Sequence, residues 1–122
     1  MAKVAMVLAQ GPGRPDGDIE DRLALQVQLN AVGQLDRAAW TASPLGWAAV
    51  RSRPDHPEQA GEVALIDGEA DGFWAVRRTH VEDEPLWVLE SDVVRPGEIV
   101  AVRSPDGVRM LYRIVAVERL EG

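Results

Sequence analysis

Two histidines and an acidic run are the groups in this 122-residue chain best suited to bind a metal. His56 follows Asp55, and His80 is followed by Val81 and then Glu82, Asp83 and Glu84. Imidazole nitrogens with a carboxylate make a ligand set for zinc and similar divalent ions, so His56, His80 and Glu82 define a candidate metal site. Such a site needs the fold to bring the two histidines together. Neither belongs to a helical i, i+4 pair, and both lie at strand ends among prolines and acids, where a solvated loop histidine is the simpler role.

Two glycine-rich loops imitate ligand-binding motifs and fail on chemistry. Gly11-x-Gly13-x-x-x-Gly17 after a short apolar run suggests a phosphate cradle. A cradle needs backbone N–H donors and a positive helix start. Pro12 and Pro15 each remove a donor, and Asp16, Asp18, Glu20 and Asp21 place carboxylates where phosphate would sit. Asp67-Gly68-Glu69-Ala70-Asp71-Gly72 copies the first half of a calcium loop, but the twelfth position holds Arg78 where a bidentate Glu is required. A nucleophile is equally hard to place. None of Ser43, Ser52, Ser91 and Ser104 lies in a Gly-x-Ser-x-Gly elbow, and there is no cysteine. No cofactor is expected.

Val93 to Val102 contains Arg95-Pro96-Gly97-Glu98 before an apolar run. This resembles the Pro-Gly-Asp-apolar lead-in of LexA-like peptidase barrels, known in cradle-loop barrels as the GD box. The resemblance covers about ten residues, with Glu98 in place of Asp. It implies a local turn geometry only. The peptidases' Ser/Lys pair has no counterpart, because Lys3 is the sole lysine and no suitably placed serine accompanies it.

Recognition is a better fit to the composition than catalysis. Four of the six aromatic residues are Trp, a side chain favoured in cores with a polar handle and at interfaces. Trp74 alternates with Phe73, and Trp87 with Leu86 and Val88, so each strand turns one large residue inward and another outward. An outward Trp74 or Trp87 beside Arg77 and Arg78 would form a binding face. Two-sided burial would hide both. Arg109 and Arg113 share one face of the last strand and Arg103 stands near them on its partner, a positive stripe that also blocks edge-to-edge aggregation. The net charge of -7 argues against non-specific nucleic-acid binding and against anionic membranes. The expected partner is another protein or a second copy of this chain.

These residues must be positioned by strands. From Leu23 the apolar residues alternate, with Leu23, Leu25, Val27 and Leu29 facing one way, which predicts a half-buried strand. A helix capped at Asp18 is the rival reading for residues 18–32. Lys3 to Gln10 is a continuous apolar run, expected to be a strand buried on both faces. Asp36 suits the cap of a short helical turn through Trp40. Trp47–Ser52, Glu62–Ile66, Phe73–Thr79 and Leu86–Leu89 read as further strands. Pro96-Gly97 fits a type II turn, and Ser104-Pro105-Asp106-Gly107 a type I turn between Ile99–Arg103 and Val108–Val117.

About seven or eight short strands at regular intervals predict an all-β, mainly antiparallel fold spanning 1–122 as a single β domain. A small β-sandwich and a partly open β-barrel both fit, with at most one or two short helical turns. The apolar start, Val4 to Ala9, is shorter than a secretory core segment, and no stretch approaches a membrane span, so a cytoplasmic location in a bacterial cell is expected. The function expected is that of a non-catalytic protein-binding or assembly module. The alternative is a metal- or small-ligand-dependent enzyme built on His56, His80 and their neighbouring carboxylates.

Overall fold

A computed structural model describes residues 1–66, 72–77 and 85–120. Among these residues the strands are β1 (Ala2–Gln10), β2 (Asp18–Val27), β3 (Ala48–Ser52), β4 (Gln59–Ile66), β5 (Phe73–Arg77), β6 (Pro85–Leu89), β7 (Ile99–Arg103) and β8 (Arg109–Arg119). Each pairs antiparallel with the next, and β8 returns to β1, so one sheet closes on itself as an eight-stranded barrel. Closure selects the barrel over the sandwich and leaves no open edge between β8 and β1. The one described helix is α1 (Arg37–Ala42). Among the described residues no helix is long and apolar enough to cross a membrane.

An eight-stranded barrel has an interior just wide enough to be filled by side chains. The period-2 pattern supplies them. Val4, Met6 and Leu8 of β1, Leu23, Leu25 and Val27 of β2, and Val100 and Val102 of β7 are buried in one core. The β2 strand confirms the period-2 reading of residues 18–27 over the helix. β1 departs from expectation: only alternate residues enter the core, while Lys3 is exposed and Ala5, Val7 and Ala9 are half-buried. In a barrel without an outer layer a strand has one inside face, so a continuous apolar run need not be buried on both.

One end of the barrel is capped by its own chain. Asp36 caps α1 by accepting a 3.0 Å bond from the Ala39 N–H. This sets Trp40 to donate from Nε1 to the Val63 carbonyl at 3.2 Å and to meet Trp74 edge-on, with ring centres 6.4 Å apart. Trp74 in turn stacks on Trp47 at 5.5 Å and 6°. Such aromatic pairs contribute about 0.5–1.5 kcal/mol beyond their buried area. At the other end, the hairpin from β7 to β8 turns as its residues require: the Gly107 N–H donates to the Ser104 carbonyl at 2.9 Å, with Gly107 at φ 89°. The Pro96-Gly97 turn also forms, closed by the Glu98 N–H on the Arg95 carbonyl at 3.1 Å.

Candidate functional site

At the other end, the mouth, which no described helix covers, three strands place polar groups on the interior face. On β2, Asp21 keeps the phase of Leu23, Leu25 and Val27. On β3, Arg51 keeps the phase of Trp47 and Ala49. On β8, Tyr112 lies between Met110 and Ile114. The three meet. Arg51 Nε donates to Asp21 Oδ1 at 3.1 Å, Arg51 Nη2 to Oδ2 at 2.8 Å, and the Tyr112 hydroxyl to Oδ1 at 2.8 Å. Asp21 is 5% exposed and Tyr112 is fully buried. The Arg51 guanidinium also faces Trp87, its carbon 6.0 Å from the ring centre.

Above this cluster opens a cavity of about 520 Å³, edged by Arg14, Asp18, Arg53, Asp55 and His56, with Leu8 and Met110 as its apolar part. Arg14 is held by Asp18 at 2.7 Å. Asp55 takes φ 59°, a left-handed geometry that a short polar side chain tolerates, and the His56 ring nitrogen Nδ1 lies 2.8 Å from the Pro54 carbonyl.

The electrostatics of the cluster favour holding over proton exchange. Burial raises the Tyr112 hydroxyl above its ordinary range against the pull of Arg51, and the bond to Asp21 adds to the rise, so the group stays a neutral donor. For Arg51, burial works against the charge, but hydrogen bonding to Asp21 and the nearby Tyr112 outweigh it and hold the guanidinium above its ordinary range. The arrangement is a locked polar plug that orients its own members.

The residues proposed from sequence are scattered. Trp74 and Trp87 both point inward, 6% and 4% exposed, because they are in phase with Val76 and Leu89; neither presents a surface beside Arg77. Phe73 is the outward member of its pair. Arg77 pairs with Glu62 at 3.5 Å. Arg103 and Arg109 stand opposite each other across β7 and β8 and share Glu90, at 3.0 Å from Arg103 and in close contact with Arg109. Desolvation pushes the Glu90 carboxyl up, but the hydrogen bonds and charges of Arg109 and Arg103 together outweigh it and hold the group below its ordinary range, so this stripe is partly neutralised where it forms. Arg113 is exposed on the outside of β8. Of the candidate metal set, His56 lies at the mouth, while His80 and Glu82 fall outside the described residues, as does most of the Asp67–Gly72 loop. Among the described residues no three His, Asp or Glu side chains gather as a metal site.

Sequence reading missed Asp21, Arg51 and Tyr112 as a unit. The signal was present: a charge in phase with an apolar strand face points into a core, where it requires a partner.

The outside of the barrel carries a second feature. Successive register pairs align Ala116 of β8 with Ala5, Ala5 with Ala24, and Ala24 with Val50. This row borders an apolar groove of about 300 Å³ lined by Ala5, Val7, Ala24, Val50 and Val115, with Arg22 and Ser52 at its rim. Val115, displaced where the register of β8 slips, is 51% exposed. On β4 and β5 the outward Ala64 and Ala75, which oppose each other, are buried. Comparison with protein-family models, with curated proteins and with solved structures finds no match to this chain. The fold and its surfaces therefore define it only as a closed, up-and-down eight-stranded barrel.

Proposed function

We propose that this chain is a non-catalytic binding module that engages another protein through the outer face of β8, β1, β2 and β3. The observation that carries the reading is the groove of Val7, Val50 and Val115 beside the Ala116–Ala5–Ala24–Val50 row, on a sheet face where alternate positions are ordinarily polar. An uncovered apolar face with a charged rim is the usual form of an interaction surface.

The chemistry of the mouth supports the same reading. A Tyr112 hydroxyl held protonated and an Arg51 held charged and paired are poor acid–base catalysts near neutral pH. The net charge of -7 favours a basic protein partner by steering and disfavours nucleic acid. A cytoplasmic location belongs to this proposal.

The test is a titration of isotope-labelled protein with extract of its native cell, followed by methyl NMR. Shifts or broadening concentrated at Ala5, Ala24 and Val50 support the reading. Perturbation confined to the mouth, around Leu8 and Met110, overturns it.

A further inference from the structure

We infer that the barrel mouth is a binding site for a small organic monocarboxylate, its carboxylate held by Arg51 and Arg53 and its apolar body resting on Leu8 and Met110. None of these residues belongs to the docking face. The ground is an imbalance in what β3 sends into the mouth. The inward phase of Trp47 and Ala49 continues through Arg51 to Arg53, just past the strand end, so two guanidiniums arrive in succession. Asp21 is the one buried acid among the described residues, and its carboxylate accepts from Arg51 Nε, Arg51 Nη2 and the Tyr112 hydroxyl. Arg51 Nη1 has no hydrogen-bond partner among the described residues and is not sealed in the core, so it opens on the cavity that Arg51 lines. Arg53 is half-buried, lines the same cavity and pairs with no acid among the described residues. Burial dominates the rise of the Tyr112 hydroxyl, and Arg53 stands near enough for its charge to oppose that rise.

The charges set the ligand class. Arg14 is neutralised by Asp18 at 2.7 Å and Arg51 by Asp21 at 2.8 Å, which leaves the charge of Arg53 uncompensated on the cavity wall. One carboxylate balances it, in the planar two-point geometry that a guanidinium favours. Glu20 and Asp55 at the rim repel a second negative charge, which disfavours phosphate and dicarboxylates. Both are exposed to solvent, so they act less on a group held deeper, between Arg51 and Arg53. Leu8 and Met110 supply apolar contact for the rest of the ligand. A cavity of about 520 Å³ is within the ordinary range for a small-molecule site, and barrel mouths are a usual place for one. Asp21 and Tyr112 fix the Arg51 guanidinium before any ligand arrives, which lowers the ordering cost of binding.

Methyl NMR of the full chain, titrated at fixed pH and ionic strength with sodium hexanoate, sodium butyrate, hexylamine and inorganic phosphate, tests this. The expected result is saturable shifts of the Leu8 and Met110 methyls with hexanoate, at a dissociation constant on the order of 1 mM. Butyrate binds more weakly, by up to about fourfold for each methylene removed. Hexylamine and phosphate leave those methyls unmoved over the same range. Arg53→Gln weakens hexanoate by about tenfold or more, and Arg53→Lys restores part of the loss. Arg53 makes no bond within the described fold, so both variants are expected to keep the urea midpoint of the wild type. No saturation by about 50 mM hexanoate overturns the inference. Equal shifts with hexylamine, tighter binding of phosphate, or an Arg53→Gln protein that binds hexanoate as before overturn it too. The docking face is judged separately by the extract titration: hexanoate shifts at the mouth stand whether or not Ala5, Ala24 and Val50 respond to extract.

Discussion

Asp21 and Arg51 lie 30 residues apart in sequence and meet at the barrel mouth through two parallel hydrogen bonds of 3.1 and 2.8 Å. Their strands are adjacent and antiparallel, with Arg22 opposite Ser52 and Leu23 opposite Arg51, so both side chains fall on the inside, Arg51 level with Leu23 and reaching diagonally to Asp21 one inward position away. A bidentate Arg–carboxylate pair is geometrically specific as well as charged. Here it closes the one end of the barrel that α1 and its Trp40 contact do not cover.

Removing one partner leaves the other charged and buried. Asp21→Ala is expected to cost about 3–5 kcal/mol of unfolding free energy, and Arg51→Ala a similar amount. The double change Asp21→Leu/Arg51→Met is expected to be far less destabilising than the sum of the singles. Urea denaturation of the four proteins measures this coupling. Additive losses would mean that the pair is not a unit.

Tyr112 gives the cluster a spectroscopic reporter, since it is the only tyrosine in the chain. Its hydroxyl is raised above the ordinary value of 10.0 in the folded state, chiefly by burial. A raised acid contributes stability that is complete below the unfolded value and is lost as pH climbs through it toward the folded one. The barrel is therefore expected to lose stability above about pH 10, with tyrosinate absorbance appearing together with unfolding. Tyr112→Phe should cost about 1 kcal/mol at neutral pH and flatten that alkaline decline. Tyrosinate forming in the intact barrel near its ordinary value would contradict the burial argument.

The loop before β2 depends on Gly17. It sits at φ +81°, and a Cβ added there would lie 2.3 Å from the Leu8 carbonyl oxygen. Gly13 has φ +70° with open space around it. Gly13→Ala should cost about 1–2 kcal/mol for the left-handed backbone alone. Gly17→Ala should cost clearly more, because backbone must also move. Thermal unfolding of both variants gives the comparison, and equal losses would show that the contact with Leu8 is relieved at no cost.

Much of the barrel was legible because each strand keeps period 2 and each turn names its residues. Pro96-Gly97 and Ser104–Gly107 fold as their chemistry requires, and Asp36 caps α1 as its position suggested. Closure was not legible. The pairing of β1 with β8 joins residues near opposite ends of the chain, and no local pattern distinguishes a closed sheet from two stacked ones. The inward direction of Trp74 and Trp87 depended on the same fact, because either phase was possible until the interior was located. The mouth cluster went unseen because Asp21 was read with Asp16, Asp18 and Glu20 as one acidic loop, although only Asp21 of these is buried. The outer row was hidden for a different reason: it is made by register between strands, and each strand alone contributes only one small residue.

On the proposed reading the barrel meets other proteins through its outer face and the mouth cluster serves the fold. A photo-crosslinking side chain placed at exposed Ala60, which continues the row beyond Val50, can be compared in the native cell with the same group at exposed Pro12 on the mouth. Light-dependent protein adducts at position 60 that disappear with Ala24→Arg, and none at position 12, are the predicted result. Adducts at position 12 alone would contradict it and move the binding site to the mouth.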